Sequence, residues 1–416
     1  MKNFFIYAMV AQHAEESSSL WLLRDRAANA PHYSLKELAK LDGRVEAHID
    51  GLRVAGDAGW EICREALGGG DSGELFSAAV PAFESGLDER IEAVLAVAEE
   101  KPETCRGLVS ALGWLSWERA EVHCARLIAD ESPLFRCVGL SACAAHRRDP
   151  GRPLIDALKD VHPVVRARAL QAVGELGRKD LLPFLLDYLN SDDDLCRYGA
   201  ASSAALLGDA GSAKVLKRLT TGDFPWPEDA LTMAVRRMSL PAALEWQGEL
   251  AGRPGAMRLA VIAAGAIGDP VLVPWIVERM ALPELARIAG ESFTMITGVD
   301  IAYADLNGER PEGFESGPTE EPEDEAVEMD ADEDLPWPDP QLIQGWWEKN
   351  GAGFRSGDRY LMGRPIGYDH LEQILRSGRQ RQRRAAAMEM SMLNPGLPLF
   401  EVRAPGFRQQ RLLGLK

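Results

Sequence analysis

Arg166 and Arg197 stand 31 residues apart, and so do Gly177 and Gly208. They mark two aligned stretches, DVHPVVRARALQAVGELGRKDLLPFLLDYL from Asp160 and SDDDLCRYGAASSAALLGDAGSAKVLKRL from Ser191. One step earlier, ESPLFRCVGLSACAAHRRDPGRPLIDAL places Arg136 30 residues before Arg166. Two periods further on, GAMRLAVIAAGAIGDPVLVPWIVERM brings Arg258 into the same place, with Gly268-Asp269 matching Gly208-Asp209. A fixed period of this size constrains the fold more than any other feature of the chain, because it marks a stack of equivalent units.

One copy shows what the unit is. Val165, Ala169, Ala172, Val173 and Leu176 recur at helical spacing after a polar turn, which predicts a first helix with one apolar face. Its alanines let a partner helix approach closely. Gly177 or Gly208 supplies the left-handed conformation that ends it, and LLPFLLDYL predicts a second helix packed back on the first. Neither helix can bury its apolar face within one unit, so neighbours must stack. The expected fold is all-α, a solenoid of helix pairs.

The pattern VVRARALQAVGELG followed by LLPFLLDYL resembles the HEAT-type repeats, in particular the short kind of bilin-lyase-like proteins. The best copies are 130–219 and 255–280. FPWPEDALTMAVRRMSLPAALEWQGEL reads as a divergent copy, and LFSAAVPAFES, IEAVLAVAEE and RGLVSALGWLSWERAEVHCARLI as helices of earlier, irregular ones. HAEESSSLWLLRDRA, LKELAKLDGRVEAHIDGLRVAGDAGWEICREAL and GELFSAAVPAFESG are together similar to the start of an uncharacterised proteobacterial family of HEAT-like repeat proteins. The tail segments GWWEKNGAGFRSGDRYLMGRP and GRQRQRRAAAMEM resemble that family's end. The resemblance defines no catalytic residues. Some members of the family are encoded near type VI secretion components, so it implies an adaptor for secretion cargo.

Charge divides the chain. Residues 309–340 hold 14 acidic groups against Arg310 alone, whereas 341–416 hold 13 basic and 6 acidic groups; the whole chain carries −18. Four regions are expected: an N-terminal helical hairpin region at 1–68, the repeat solenoid at 69–308, an acidic Pro-rich linker or loop at 309–340, and a basic helical region at 341–416 that continues the solenoid. The acidic stretch has too few aliphatic side chains to offset its ordering entropy, which predicts disorder. Beyond it, Asp339, Pro340 and Gly351 mark the cap, first turn and stop of a helix, and DHLEQILRSG with QRQRRAAAMEMSML a further helical pair. An acidic chain repels nucleic acid and anionic membrane, and no apolar run approaches the roughly 20 residues a membrane span needs. MKNFFIYAMVAQH reads as a first structural segment rather than a signal peptide. Six cysteines without a CxxC pair point to buried thiols and a cytoplasmic setting.

RVEAHIDGLRVAGDAGWEICREAL, from Arg44, sets Glu46, His48 and Asp50 at every second position, as an active site might look in linear form. On a helix from Leu41 to Ala55 the stripe Leu41, Val45, Ile49, Leu52 faces inward, His48 borders it, and Glu46 and Asp50 share another face. Ligands divided in this way do not converge, so the stretch reads as a helical hairpin, with Asp57 capping its second helix. Cys143 with His146, and His123 with Cys124, lack the paired spacing of a zinc site. No metal and no cofactor are expected. GDAGSAK at Gly208–Lys214 lacks the ending of a phosphate loop and falls where the repeat turns.

The repeat arginines Arg136, Arg166, Arg197 and Arg258 are expected to form a structural ladder, pairing with acids such as Asp160 and Asp192 to Asp194 or with carbonyls of the next repeat. For partner binding the choice falls on Trp226 and Trp337, each in a stiff Pro-Trp-Pro turn, and on Trp346 and Trp347, one of which is expected in the core. The basic run Arg376, Arg379, Arg381, Arg383 and Arg384 runs into an apolar helical face, and the acidic segment is expected to fold back and screen it. The reading that results is a non-enzymatic scaffold or adaptor that binds another protein. The alternative is a HEAT-like enzyme of the DNA glycosylase or bilin lyase type, for which the −12 carried by residues 1–308 is unfavourable in the first case.

Overall fold

The computed structural model describes residues 7–314, 316–317 and 330–415. Helices account for nearly all regular structure among them, and the protein is an all-α helical-repeat solenoid of HEAT-like pairs. The chain divides into two compact units, Met1–Leu207 with Arg376–Gln380 and Asn394–Lys416, and Gly208–Leu375 with Arg381–Leu393.

In the first unit the opening helix Tyr7–Ala27 packs on Leu35–Ala55 and on Ser72–Ser85. From there the first helices of successive pairs lie side by side in chain order: Ser72–Ser85, Cys105–Trp114, Pro133–Ala145, Pro163–Glu175 and Asp194–Leu206. Asp88–Glu100, Trp117–Ile128, Arg152–Ala157 and Leu182–Tyr188 are the second helices. The row can be this tight because small residues stand where the helices meet. A Cβ on Gly199 would come within 2.8 Å of the carbonyl oxygen of Ala167, and one on Gly174 within 2.6 Å of the backbone of Ser203. Ser203 also bonds across the seam, donating to Leu170 O and accepting from Gly174 N.

The hairpin reading of the N-terminal cluster matches the structure. Leu41, Val45, Ile49 and Leu52 are buried on the helix Leu35–Ala55, and Asp57–Ala66 follows. Asp57, however, does not cap that second helix. The two helices are joined through Gly56 alone, at φ 59°, so Gly56 takes the cap position and Asp57 is already helical, pairing with Arg90.

In the second unit Pro227–Arg237, Met257–Ile267 and Pro283–Thr297 form the row of first helices, backed by Leu240–Ala251 and Val273–Arg279. Gly265 meets Ser292 as Gly174 meets Ser203, and Ser292 donates to Val261 O at 2.9 Å. Asp339 caps Pro340–Asn350 by accepting from Gln341 N and Leu342 N, and Gly351 ends it, as the sequence signals. The chain then makes a two-stranded hairpin, Tyr360–Leu361 with Arg364–Pro365, which periodicity did not foretell because each strand is two residues long. The hairpin closes the row: Tyr360 N donates to Gly268 O and Met362 N to Met295 O.

Glu315 and residues 318–329 of the acidic stretch, on which the expectation of disorder mainly falls, lie outside the described residues. Its described end is held in place. Asp332 and Leu335 are buried, and Asn307 bridges to Pro338.

The seam makes a prediction. Gly199→Ala gains about 1 kcal/mol in helix propensity, but its methyl has no space against the Ala167 carbonyl, and overpacking of this kind costs about 1–3 kcal/mol. Urea denaturation is expected to show a loss of stability. Gly248→Ala, on an exposed helix position with nothing within 4 Å of the new atom, is expected to show a gain.

Candidate functional site

The repeat arginines reach different partners. Arg136 holds Asp160, in the turn of the next copy, through Nε at 2.8 Å and Nη2 at 3.0 Å, and also donates to the carbonyls of Asp130 and Glu131. Burial opposes ionisation of Asp160, but Arg136 and the amide of His162 hold its carboxyl below the usual value. Arg166 donates to Asp160 O and Val161 O, and Arg197 to Ser191 O and to Asp194. In the second unit Arg258 joins Glu228, 2.9 Å away, to Asp332 of the acidic stretch at 2.6 Å.

The expected screening of the basic run by the acidic stretch falls largely on Glu315 and residues 318–329, which lie outside the described residues. Two of the stretch's described carboxylates go to first-helix arginines: Asp330 to Arg287 at 2.5 Å, and Asp332 to Arg258. Arg381 meets it through Ala331 O and pairs with Glu291. Arg379 pairs with Glu37 in the first unit, Arg384 with Asp229 in the second, and Arg383 is wholly buried, donating to Leu375 O. Glu37, Asp229 and Glu291 lie far from the run in sequence.

Each of the four tryptophans rests on its own neighbours. Trp226 precedes the first residue of Pro227–Arg237, stands edge-on to Phe224 and is 43% exposed. Trp337 lies under the Arg287 guanidinium at 4.7 Å and edge-on to Phe314. Trp346 meets the fully buried Phe293 edge-on, and Trp347 tilts against Phe354.

Glu46 accepts from Arg53 and from the indole of Trp114, while His48 faces His13, with Nδ1 atoms 3.1 Å apart. His123 and His146 contact the carbonyl oxygens of Phe83 and Leu112. Among the described residues no three His, Cys, Asp or Glu side chains gather as a metal site, and no helix is long and apolar enough to cross a membrane.

A cavity of about 280 Å³ opens in the first unit. One wall comes from equivalent positions of successive first helices: Gly113, Ala144 and Glu175 line it at intervals of 31, as do Ser110 and Ser141. The other wall is the C-terminal segment, from Glu401 to Arg408. That segment is docked at several points. Leu399 N donates to Glu175 O, Arg24 to the carbonyls of Arg403 and Ala404, and Arg408 to those of Gly113 and Leu115.

Arg147 belongs to this lining and was not singled out in the sequence, although a signal was there. It stands 30 residues before Gly177, where the repeat ends its first helix with glycine. Arg147 adopts the same left-handed conformation, φ 54° against 69°, which costs a non-glycine residue about 1–2 kcal/mol. Its guanidinium donates to Leu399 O and pairs with Glu401 at 3.1 Å. A residue that breaks the repeat's own rule at a backbone cost is there for its side chain.

The family model described as HEAT repeats matches residues 151–236. No curated protein matches the chain.

Two predictions follow from these contacts. Burial, with Arg408 nearby, pulls the His146 imidazole down to about 4. The unfolded chain therefore takes up a proton near pH 6.5 that the folded chain refuses until about pH 4. This contribution is complete above pH 6.5 and falls away as pH drops towards 4, by about 3 kcal/mol. His146→Gln is expected to flatten that part of the stability-pH profile, measured by urea denaturation. Arg147→Gly relaxes the backbone but releases Leu399 and Glu401; hydrogen exchange is expected to show faster exchange at the Leu399 amide, with the Pro163–Glu175 helix unchanged.

Proposed function

We propose that the protein is a non-enzymatic scaffold that binds another protein, an adaptor working in the cytoplasm. The observation that carries this reading is the match of residues 151–236 to HEAT repeats, modules that commonly serve as protein-interaction scaffolds. Helix stacks of this kind offer extended surface and no chemistry of their own. Within the matched span large apolar side chains stay exposed: Val161, Val164 and Leu186 in the first unit and Trp226 in the second. The stiff prolines around Trp226 favour presentation of its ring at little entropic cost. In this reading Trp226, Trp337, Trp346 and Trp347 supply partner contacts, the last three as partly covered rings, and the repeat arginines act as a ladder that keeps the stack rigid. Cargo handling in type VI secretion is the narrower form of the proposal. It rests on the resemblance of the N- and C-terminal segments to the family described above.

The experiment is capture from the native cell with the full chain as bait, beside Trp226→Ala, Val161→Asp and a form lacking 309–340. A defined protein partner is expected with the full chain, with recovery reduced at least fivefold by Trp226→Ala or Val161→Asp. Equal recovery with every bait, or glycosylase or chromophore-attachment activity of the purified chain, would overturn the reading.

A further inference from the structure

The cavity of the first unit has a charge pattern opposite to that of the chain as a whole. Six guanidinium groups line it, Arg24, Arg106, Arg147, Arg168, Arg403 and Arg408, against three carboxylates, Asp25, Glu175 and Glu401. Every carboxylate is already engaged. Asp25 meets Arg106 at 2.7 Å and Arg403 at 3.2 Å, Glu175 meets Arg168 at 2.6 Å, and Glu401 meets Arg147. Arg24 is neutralised by Asp42, 2.8 Å away. Among the described residues Arg408 makes no salt bridge; its Nη2 donates to two carbonyl oxygens at 2.6 and 2.9 Å. Burial pulls its proton affinity down to about 10. The Nη1 atoms of Arg168 and Arg408 are both buried without a hydrogen-bond partner, a costly state for charged donors.

Neutral donors face the same space. Ser110 Oγ accepts from Trp21 Nε1 and Ser141 Oγ from Arg168 Nε, each at 2.8 Å. An oxygen that accepts in this way has its own O–H left to give. Arg106 and Arg403, with about half of each side chain exposed, supply cations that solvent can reach. The wall is rich in donors and all its carboxylates are occupied.

Size limits what enters. About 280 Å³ corresponds to roughly nine waters at about 30 Å³ each. A small organic acid or a phosphate ester fits that space, and a nucleic acid strand does not. Guanidinium groups recognise carboxylate and phosphate alike through paired N–H donors.

We propose that this cavity binds a small soluble oxyanion through its carboxylate or phosphate groups, drawn in by Arg106 and Arg403 and held by Arg168, Arg408, Ser110 and Ser141. The C-terminal segment forms part of the pocket, so ligand binding holds residues 399–408 on the helix row.

The test uses the purified full chain, with calorimetry and thermal unfolding in inorganic phosphate or citrate against potassium chloride at matched ionic strength. One of the two probes is expected to bind saturably and to raise the melting temperature beyond the chloride control. A preference for phosphate assigns the ligand to phosphate esters, and a preference for citrate to organic acids. Arg106→Gln, which removes an accessible charge, and Ala145→Phe, which fills the cavity and removes none, are each expected to weaken binding at least tenfold. Far-UV circular dichroism reports whether each variant folds, and either folded variant suffices. No saturable effect beyond chloride from either probe, or unchanged affinity in a folded variant, would overturn the proposal.

Discussion

Backbone-to-backbone approach between neighbouring first helices is the contact on which the architecture depends. Gly199 against the Ala167 carbonyl and Gly174 against Ser203 leave no room for a larger side chain. Close approach brings the apolar stripes of both helices fully out of water, at about 25 cal/mol for each Å² removed. It also fixes the register of one pair on the next, since a shift along the axis would drive a methyl into a carbonyl. The period of about 31 residues is thus a steric requirement before it is a pattern of sequence. The recurrence of the same device at Gly265 and Ser292 in the second unit shows that it is the chain's general solution.

Polar groups then complete what packing begins, in a way that depends on where the row ends. Inside the row, arginines turn back to the carbonyls of their own turn, as Arg166 and Arg197 do, or forward to the next copy, as Arg136 does. In the second unit the chain brings its acidic stretch to Arg258 and Arg287, on two successive first helices. In the first unit the C-terminal segment covers the helix ends instead, and the equivalent positions that would otherwise be plain surface become the wall of a cavity. Scaffold and pocket arise from one repeat, used once with a neighbour and once with a strap.

Much of this was legible in the sequence, for a physical reason. Helical period, small residues at contacts and glycine at helix ends are local properties, so helices such as Pro163–Glu175 and Pro340–Asn350, with the caps of the latter, follow from neighbouring residues. The cavity was not legible because its two walls are joined by no local rule. Arg408 meets Gly113 across 295 residues of chain, and nothing near either residue signals the other. The partners of the basic run were hidden in the same way, Arg379 lying 342 residues from Glu37. Arg147 was the one accessible clue: an exception to the repeat at a position where the backbone prefers glycine.

The strap also sets a timetable. Arg24 donates to Ala404 O across 380 residues of chain, and Gly406 N donates to Asp42 over a similar span. A ribosome releases the N-terminal helices long before these partners exist, so the guanidinium of Arg24 and the carboxylate of Asp42 begin life facing water or each other. Domains of most proteins are finished in the order of their synthesis; here the first unit is begun first and sealed last. Translation of the intervening repeats is an interval during which the future pocket lies open, accessible to chaperones and to any anion that fits it.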